Sequence, residues 1–397
     1  MGSLPKELYF ILFGAATLSI GTNAILPILP LFMIEVGTSE LEIGLILAIS
    51  SMLGLASRVP ISILSKRVGR KTMVITAFMV QFTTLMSLGF VDDVFHFYLL
   101  LTLNSMLWAL YAPFAIALVS DMASTSEIGK IMGIYYTSIG LGSFLGPLLS
   151  GFLGELLSYR HVFLVLSILP VIGLCASTRL EGKTSERRNE SDNITTNIGE
   201  SFRRILKSRN IIGLSLSRLS FFIAVGVVRA LFSVWAQNNL LFSTSMISIL
   251  FSARGLANLL IRFPTGKLVD RAGMKKPILL AFCIGAIGFL LLSFTTDFWL
   301  LFLGMGLFGL AWGMRIVPDT AIMTVSVSPE DKVLAFAFVM SMPGIGTSIG
   351  SFVSGLSYTI FPMSVLFQIS SAVIIIGLIT LIVMIDERSQ TYPTDQQ

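Results

Sequence analysis

Arg315 and Asp319 stand four residues apart in FWLLFLGMGLFGLAWGMRIVPDTAIM, residues 298–323, a run that is otherwise almost wholly apolar. On a helix that spacing puts a guanidinium and a carboxylate on one face. Arg254 interrupts the apolar run 244–265 in the same way. A guanidinium so placed can hold an anionic substrate group, or pair structurally with a carbonyl or a carboxylate. A carboxylate that is neutralised on one side of a barrier and ionised on the other can carry a proton. That makes Asp319 the nearest proton-carrier candidate, with a structural Arg315–Asp319 pair as the alternative. His96 and His161 are far apart in sequence, and Cys175 and Cys283 both fall inside apolar runs. No metal site, cofactor or disulfide framework is expected from them.

The elements that hold these groups are apolar throughout. Charged residues are 12% of the 397, hydrophobic ones 54%, and mean hydropathy is +0.86. A soluble domain carries about 25% charge. Too little polar surface is left to cover a water-soluble body, so the chain reads as an all-α integral membrane protein. Apolar spans fall near 7–34, 41–62, 72–90, 95–120, 130–153, 160–178, 211–235, 244–265, 277–295, 298–323, 332–356 and 361–384. These are twelve transmembrane helices, each near or above the roughly 20 residues that cross hydrocarbon. Arg254 is placed about 15 Å into its helix, at 1.5 Å per residue, close to the bilayer midplane. It is the costliest of the charges and therefore the leading functional candidate. Arg58 and Arg262 lie near the inner ends of their helices and can snorkel. Arg218 and Arg229 are placed near the inner and outer ends of the seventh.

Lys and Arg gather on one set of loops, including Lys66, Arg67, Arg70 and Lys71, a basic segment over 179–209, and Lys267, Arg271, Lys275 and Lys276. The opposite loops hold Glu35, Glu40, Asp92, Asp93 and Asp297, with Arg160 the exception. This asymmetry predicts a multi-pass protein of the cell membrane with both termini cytoplasmic. The net charge of +5 is read as topology, and no nucleic-acid partner is inferred from it.

The chain is also written twice. RVPISILSKRVGRKT, residues 58–72, returns as RFPTGKLVDRAGMKK, residues 262–276. A shift of 204 residues superposes Arg58 on Arg262, Pro60 on Pro264, Gly69 on Gly273 and Lys71 on Lys275. The same shift takes Trp108 to Trp312, Gly140 to Gly344, Gly142 to Gly346 and Gly151 to Gly355. The reading is two parallel six-helix bundles, 1–180 and 210–397, joined by a cytoplasmic linker at 181–209. FRRILKS within the linker reads as a short amphipathic surface helix, and ERRNESDNITTN before it as flexible.

In these features the chain resembles the major facilitator superfamily, the twelve-helix secondary transporters, over nearly its whole length. The family's loop motif, roughly G-x-L-x-D-R-x-G-R/K-R/K, is matched by Gly266, Leu268, Asp270, Arg271, Gly273 and Lys275. The first copy keeps Leu64, Arg67, Gly69, Arg70 and Lys71 but has Ser62 for the glycine and Lys66 for the aspartate. Gly69 and Gly273 allow a tight reversal with φ above zero. The resemblance implies that these turns gate the cytoplasmic mouth. The first turn, lacking its carboxylate, must then borrow one, with Asp121 and Glu127 as candidates. GIYYTSIGLGSFLGPLLSG resembles the Gly-Pro packing motif of proton-coupled efflux members through Gly142, Gly146, Pro147 and Gly151. Asn104 stands where those members carry an arginine.

In the family fold the first, fourth, seventh and tenth helices line a central cavity. That places Asn23, Asn104, Trp108, Tyr111, Arg229, Trp312 and Arg315 around it, with Arg254 from the eighth. The function implied is secondary active transport by alternating access: efflux of small amphiphilic or hydrophobic compounds, with proton antiport as its coupled form. Uptake or facilitated transport of an anionic metabolite is one alternative. A transporter-like sensor or a lipid-handling protein is another. The expected partners are a small-molecule substrate, the bilayer and, in the coupled form, protons. Function as a monomer and no enzymatic activity are expected.

Overall fold

The structure, a computed structural model, describes residues 6–122, 128–179, 198–328 and 330–385; the side chains at 6, 66, 128–130, 198 and 333 lie outside that description. Twelve of its helices are long and apolar enough to cross a membrane. In the N-terminal half they run Glu7–Glu35, Glu40–Ser65, Arg70–Leu88, Val94–Met122, Ile131–Leu156 and Tyr159–Thr178. In the C-terminal half they run Arg209–Leu240, Thr244–Ala272, Lys275–Phe294, Phe298–Val325, Leu334–Tyr358 and Met363–Met384. Several extend further than the hydrophobic pattern alone predicts. The seventh continues through Gln237, Asn238 and Asn239 to a left-handed Leu241 with φ 55°. Polar residues there continue the helix instead of ending it.

Local chemistry explains where the helices start and turn. Ser39 caps the second span: its Oγ accepts from Glu42 N at 3.3 Å, while Glu42 Oε2 accepts from Ser39 N at 2.8 Å. Ser243, its counterpart under the 204-residue shift, caps the eighth by accepting from Met246 N at 3.3 Å. Each such cap satisfies backbone donors that the first turn leaves open. Gly69 and Gly273 have φ of 82° and 79°, as the duplicated turn predicts. A side chain at either position would be strained.

The repeat is carried into packing. The second and eleventh spans meet where Gly44 faces Gly355; a Cβ on Gly44 would come within 2.8 Å of Gly355 Cα. The fifth and eighth meet at the pseudo-symmetric place, Gly151 against Ser248. The Gly-Pro stretch has a definite task here. A Cβ on Gly146 would lie 2.5 Å from the Ile20 carbonyl oxygen, so glycine is what lets the fifth helix seat on the first. The C-terminal half is filled by Phe221, Phe282, Phe289 and Phe308, all fully buried. Phe221 meets Phe282 and Phe308 with centroids 5.9 Å apart in each pair.

The linker's described part is a surface helix, Ile198–Lys207. Ile205 is buried, and the Arg204 Nε and Nη2 atoms each donate to Asp331 at 2.8 Å. The flexible stretch predicted before it lies outside the described residues.

Candidate functional site

Between the halves lies a cavity of about 390 Å³, lined by short polar side chains and Arg58 from the N-terminal half and by two guanidiniums from the C-terminal half. The N-terminal half contributes Asn23, Ser51, Asn104 and Trp108. Asn23 Nδ2 donates to Ser19 O at 2.9 Å and to Ser19 Oγ at 3.3 Å, which orients its amide. Asn104 Oδ1 and Ser51 Oγ are buried with no hydrogen-bond partner among the described residues. Buried polar atoms in folded proteins are nearly always satisfied, so these two leave hydrogen-bonding capacity open on this wall.

The C-terminal half contributes Arg229, Arg254 and Trp312. Arg254 is 7% exposed and sits over three aromatic faces: Phe251 at 5.2 Å, Trp312 at 5.5 Å and Phe308 at 5.9 Å. Ring faces attract a cation but leave its charge uncancelled. Arg229 lies about 17 Å below the end of the seventh helix. The extra turn of helix ending at Leu240 therefore corrects its expected place near the outer end to one beside the cavity. Among the described residues neither arginine has an ion pair or a hydrogen bond. Among the described residues no aspartate or glutamate lines the cavity.

Two residues expected on this wall are elsewhere. Tyr111 is 1% exposed in the core of the N-terminal half, its hydroxyl donating to Ile11 O at 3.3 Å and its ring edge-on to Phe78. It follows Trp108 on the fourth helix, but the rotation of that helix turns it inward. Arg315 lies in a separate pocket of about 60 Å³ with Asp319 and Arg218, divided from the main cavity by Phe222 and Trp312. Asp319 Oδ2 accepts from Arg315 Nη2 at 3.2 Å and sits 3.3 Å from Arg218 Nη1. Arg315 stacks on Phe221 at 4.4 Å and Phe282 at 4.7 Å. The group is two cations on one carboxylate. Asp319 is the one carboxylate buried within a span among the described residues. Sequence reasoning missed Arg218 as its second partner, because facing helices cannot be registered from spacing alone.

The duplicated turns differ in their ion pairs. Arg70 Nη1 lies 2.6 Å from Asp121 Oδ2, so the fourth helix brings a carboxylate to the turn that lacks one. Glu127 and the Lys66 side chain lie outside the described residues, and Arg67 is exposed. In the second turn Asp270 and Arg271 are exposed, and no ion pair of either is found among the described residues. Lys71 Nζ donates to Thr178 O at 2.9 Å, and Lys275 Nζ to Ile385 O at 2.7 Å.

At the acidic-loop face the halves are tied together. The Tyr159 and Thr244 hydroxyls are 2.9 Å apart, and Ser245 donates to Glu155 from its amide at 3.0 Å and its hydroxyl at 2.7 Å. Deeper in, Ser348 Oγ donates to Ala48 O at 3.0 Å. At the basic-loop face the fourth and tenth helices make no extended packing contact. A flank groove beside Tyr9, Phe13, Cys175 and Arg179 shares no lining residue with the cavity.

Comparison with known proteins fits this architecture. A transporter of Methanocaldococcus jannaschii, the uncharacterised MFS-type MJ1560, is 23% identical over 385 residues, covering 96% of this chain and 98% of the relative. Multidrug resistance protein MdtG of Proteus mirabilis is 23% identical over 95% of both chains. The multi-drug resistance efflux pump PmrA of Streptococcus pneumoniae is 25% identical over 86% of this chain and 88% of the relative. Among solved structures, the nucleoside transporter NupG superposes with a TM-score of 0.76 at 15% identity, covering 96% and 99% of the two chains. An inward-facing bacterial homologue of the lysosomal transporter Spinster gives 0.71 at 14%, covering 96% of each. The sequence profile of the Major Facilitator Superfamily matches residues 11–236 and again 214–397. Two overlapping matches to one profile span both halves of the repeat, and the chain belongs to the major facilitator superfamily.

Proposed function

We propose that the protein exports small amphiphilic compounds from the cytoplasm by alternating access. The observation that carries this reading is the central cavity, walled by Trp108, Trp312, Phe222 and Phe251 and tied shut at the acidic-loop face. The positive-inside rule makes the basic face cytoplasmic, so this state would load from inside the cell. Both termini are then cytoplasmic and the membrane is the cell membrane. The names of the relatives MdtG and PmrA support efflux as the direction.

The two halves would rock about the cavity, with the duplicated turns resisting or releasing the basic mouth. Arg70 with Asp121, and Asp270 with Arg271, are the gate elements of this proposal. Proton antiport is its finer form. Asp319 is the residue for it, being the buried carboxylate nearest the cavity, which it approaches through the shared walls Phe222 and Trp312.

The test is flux of hydrophobic fluorescent probes in proteoliposomes, with and without an imposed pH gradient. Probe flux that requires the protein supports the transporter, and acceleration by the gradient supports antiport. Protein-dependent flux that ignores the gradient removes antiport and leaves the transporter standing.

A further inference from the structure

We propose that the cargo is an amphiphilic organic anion whose negative group is held between Arg229 and Arg254. This deepens the export reading and rests on it. Four of the arginines inside the C-terminal half are treated in two ways. Arg218 and Arg315 share Asp319. Arg229 and Arg254 have no carboxylate and no hydrogen-bond acceptor among the described residues, yet both line the same cavity.

An ion removed from water is strongly disfavoured unless paired. The fold demonstrates in the neighbouring pocket that it can supply an aspartate to buried arginines. In the cavity it supplies none. The counter-charge is therefore left for a molecule that enters and leaves. Oxyanions such as carboxylate, sulfonate or phosphate suit guanidinium forks, which donate two parallel bonds. A cationic compound would meet Arg58, Arg229 and Arg254 with no compensating acid on the wall.

The remaining lining sets the rest of the molecule. The aromatic faces of Trp108, Phe222 and Trp312 call for an apolar, flat body. Asn104 Oδ1, unpartnered and buried, accepts a hydrogen bond from a donor on that body. At about 390 Å³ the cavity sits at the small end of sites for drug-sized ligands.

The charge also supplies a driving force. An anion leaving an inside-negative cell moves down the electrical gradient. Each 100 mV favours the export of one charge by roughly fifty-fold at equilibrium. The potential alone can drive export of the anion, whether or not a proton is exchanged in the same cycle.

The test uses purified full-length protein in proteoliposomes and three matched probes: naphthalene-2-sulfonate, 2-naphthol and 2-naphthyltrimethylammonium. Binding is read by tryptophan quenching, and flux is read under a valinomycin-clamped potassium potential. Tighter binding of the sulfonate than of the other two is expected, with its flux following the potential. R229Q and R254Q should each lower the sulfonate-to-naphthol affinity ratio at least tenfold, and R254K should restore part of it. R254Q should also raise thermal stability, because it removes an unpaired buried cation. An arginine that merely holds the fold together would lower it.

Preference for the ammonium or naphthol probe, or an unchanged ratio in both glutamine variants, overturns the anion assignment while transport of the other probes keeps the exporter reading. No protein-dependent binding or flux of any of the three removes both.

Discussion

Arg58 and Arg262 reach across the boundary between the halves in opposite directions. Arg58 Nη1 donates to Met340 O at 2.9 Å, and Arg262 Nη1 to Tyr136 O at 3.1 Å. The 204-residue shift that carries Arg58 to Arg262 also carries Tyr136 to Met340. One bond is thus the image of the other under the pseudo-twofold axis. Gly140 against Leu259 and Gly344 against Leu55 form a second such pair a turn further in. The repeat extends to an interface as well as to the sequence.

This symmetry makes a prediction about opening. Both bonds lie in the half of the interface toward the basic loops, so they hold the second helix to the eleventh and the eighth to the fifth there. R58A and R262A should each shift the population toward a wider basic mouth, by similar amounts. A bond of this kind, partly exposed, is worth about 1 kcal/mol, or roughly a fivefold change in ratio. Spin labels at Ile63 and Ala337 should gain a longer-distance component in both variants and more of it in the double variant. A response confined to R58A would show that the two ties are not equivalent.

The two duplicated turns should respond unequally. D121N removes the partner of Arg70, whose side chain, like that of Asp121, is 38% exposed. An exposed pair contributes at most about 1 kcal/mol, so D121N should lower the melting temperature only slightly. D270N removes no ion pair seen in this state and should leave the melting temperature alone. If Asp270 engages in the opposite state, D270N will slow turnover even so. Equal turnover in D270N and wild type would show that its turn does not gate.

Which of these features a reader can find in the sequence depends on what each one rests on. The twelve spans, the repeat and the positive-φ turns at Gly69 and Gly273 follow from hydrophobicity, register and backbone sterics, and all are legible. Arg254 stands out because a charge in hydrocarbon is costly wherever its helix points. Helix membership puts Tyr111 and Arg315 on the cavity wall, but it does not fix rotation. A turn of a few tens of degrees sends Tyr111 into the core beside Phe78 and Arg315 into the pocket with Arg218. Arg229 lies deeper than its sequence suggests because AQNN reads as loop while the backbone continues as helix. The cross-boundary bonds end on carbonyl oxygens, which have no signature in sequence at all.

Asp319 separates structure from coupling. Its loss leaves Arg218 and Arg315 facing each other in a small pocket without their shared counter-ion. Breaking a buried pair costs about 3–5 kcal/mol, and D319N should lose stability on that scale. D319N with R218M removes one charge of each sign and should recover much of the loss. If transport in the double variant still follows a pH gradient, Asp319 is no proton carrier and its task is to neutralise the arginines.

The surface helix gives a pH prediction outside the membrane. The two Arg204 bonds, together with Ser201 and Ser328, hold the Asp331 carboxyl well below its ordinary range, at about 2. A depressed carboxylate adds stability that is complete above its unfolded pKa and is lost as pH falls through the folded one. The clamp should therefore persist unchanged from neutral pH to about 4 and release between about 4 and 2. D331N should release it at every pH. Hydrogen exchange over 198–207 reads this directly: fast exchange in D331N at pH 7, against slow exchange in wild type down to pH 4. Equal exchange in the two at pH 7 would show that Ile205 and the Phe202–Phe338 contact anchor the helix without the ion pair.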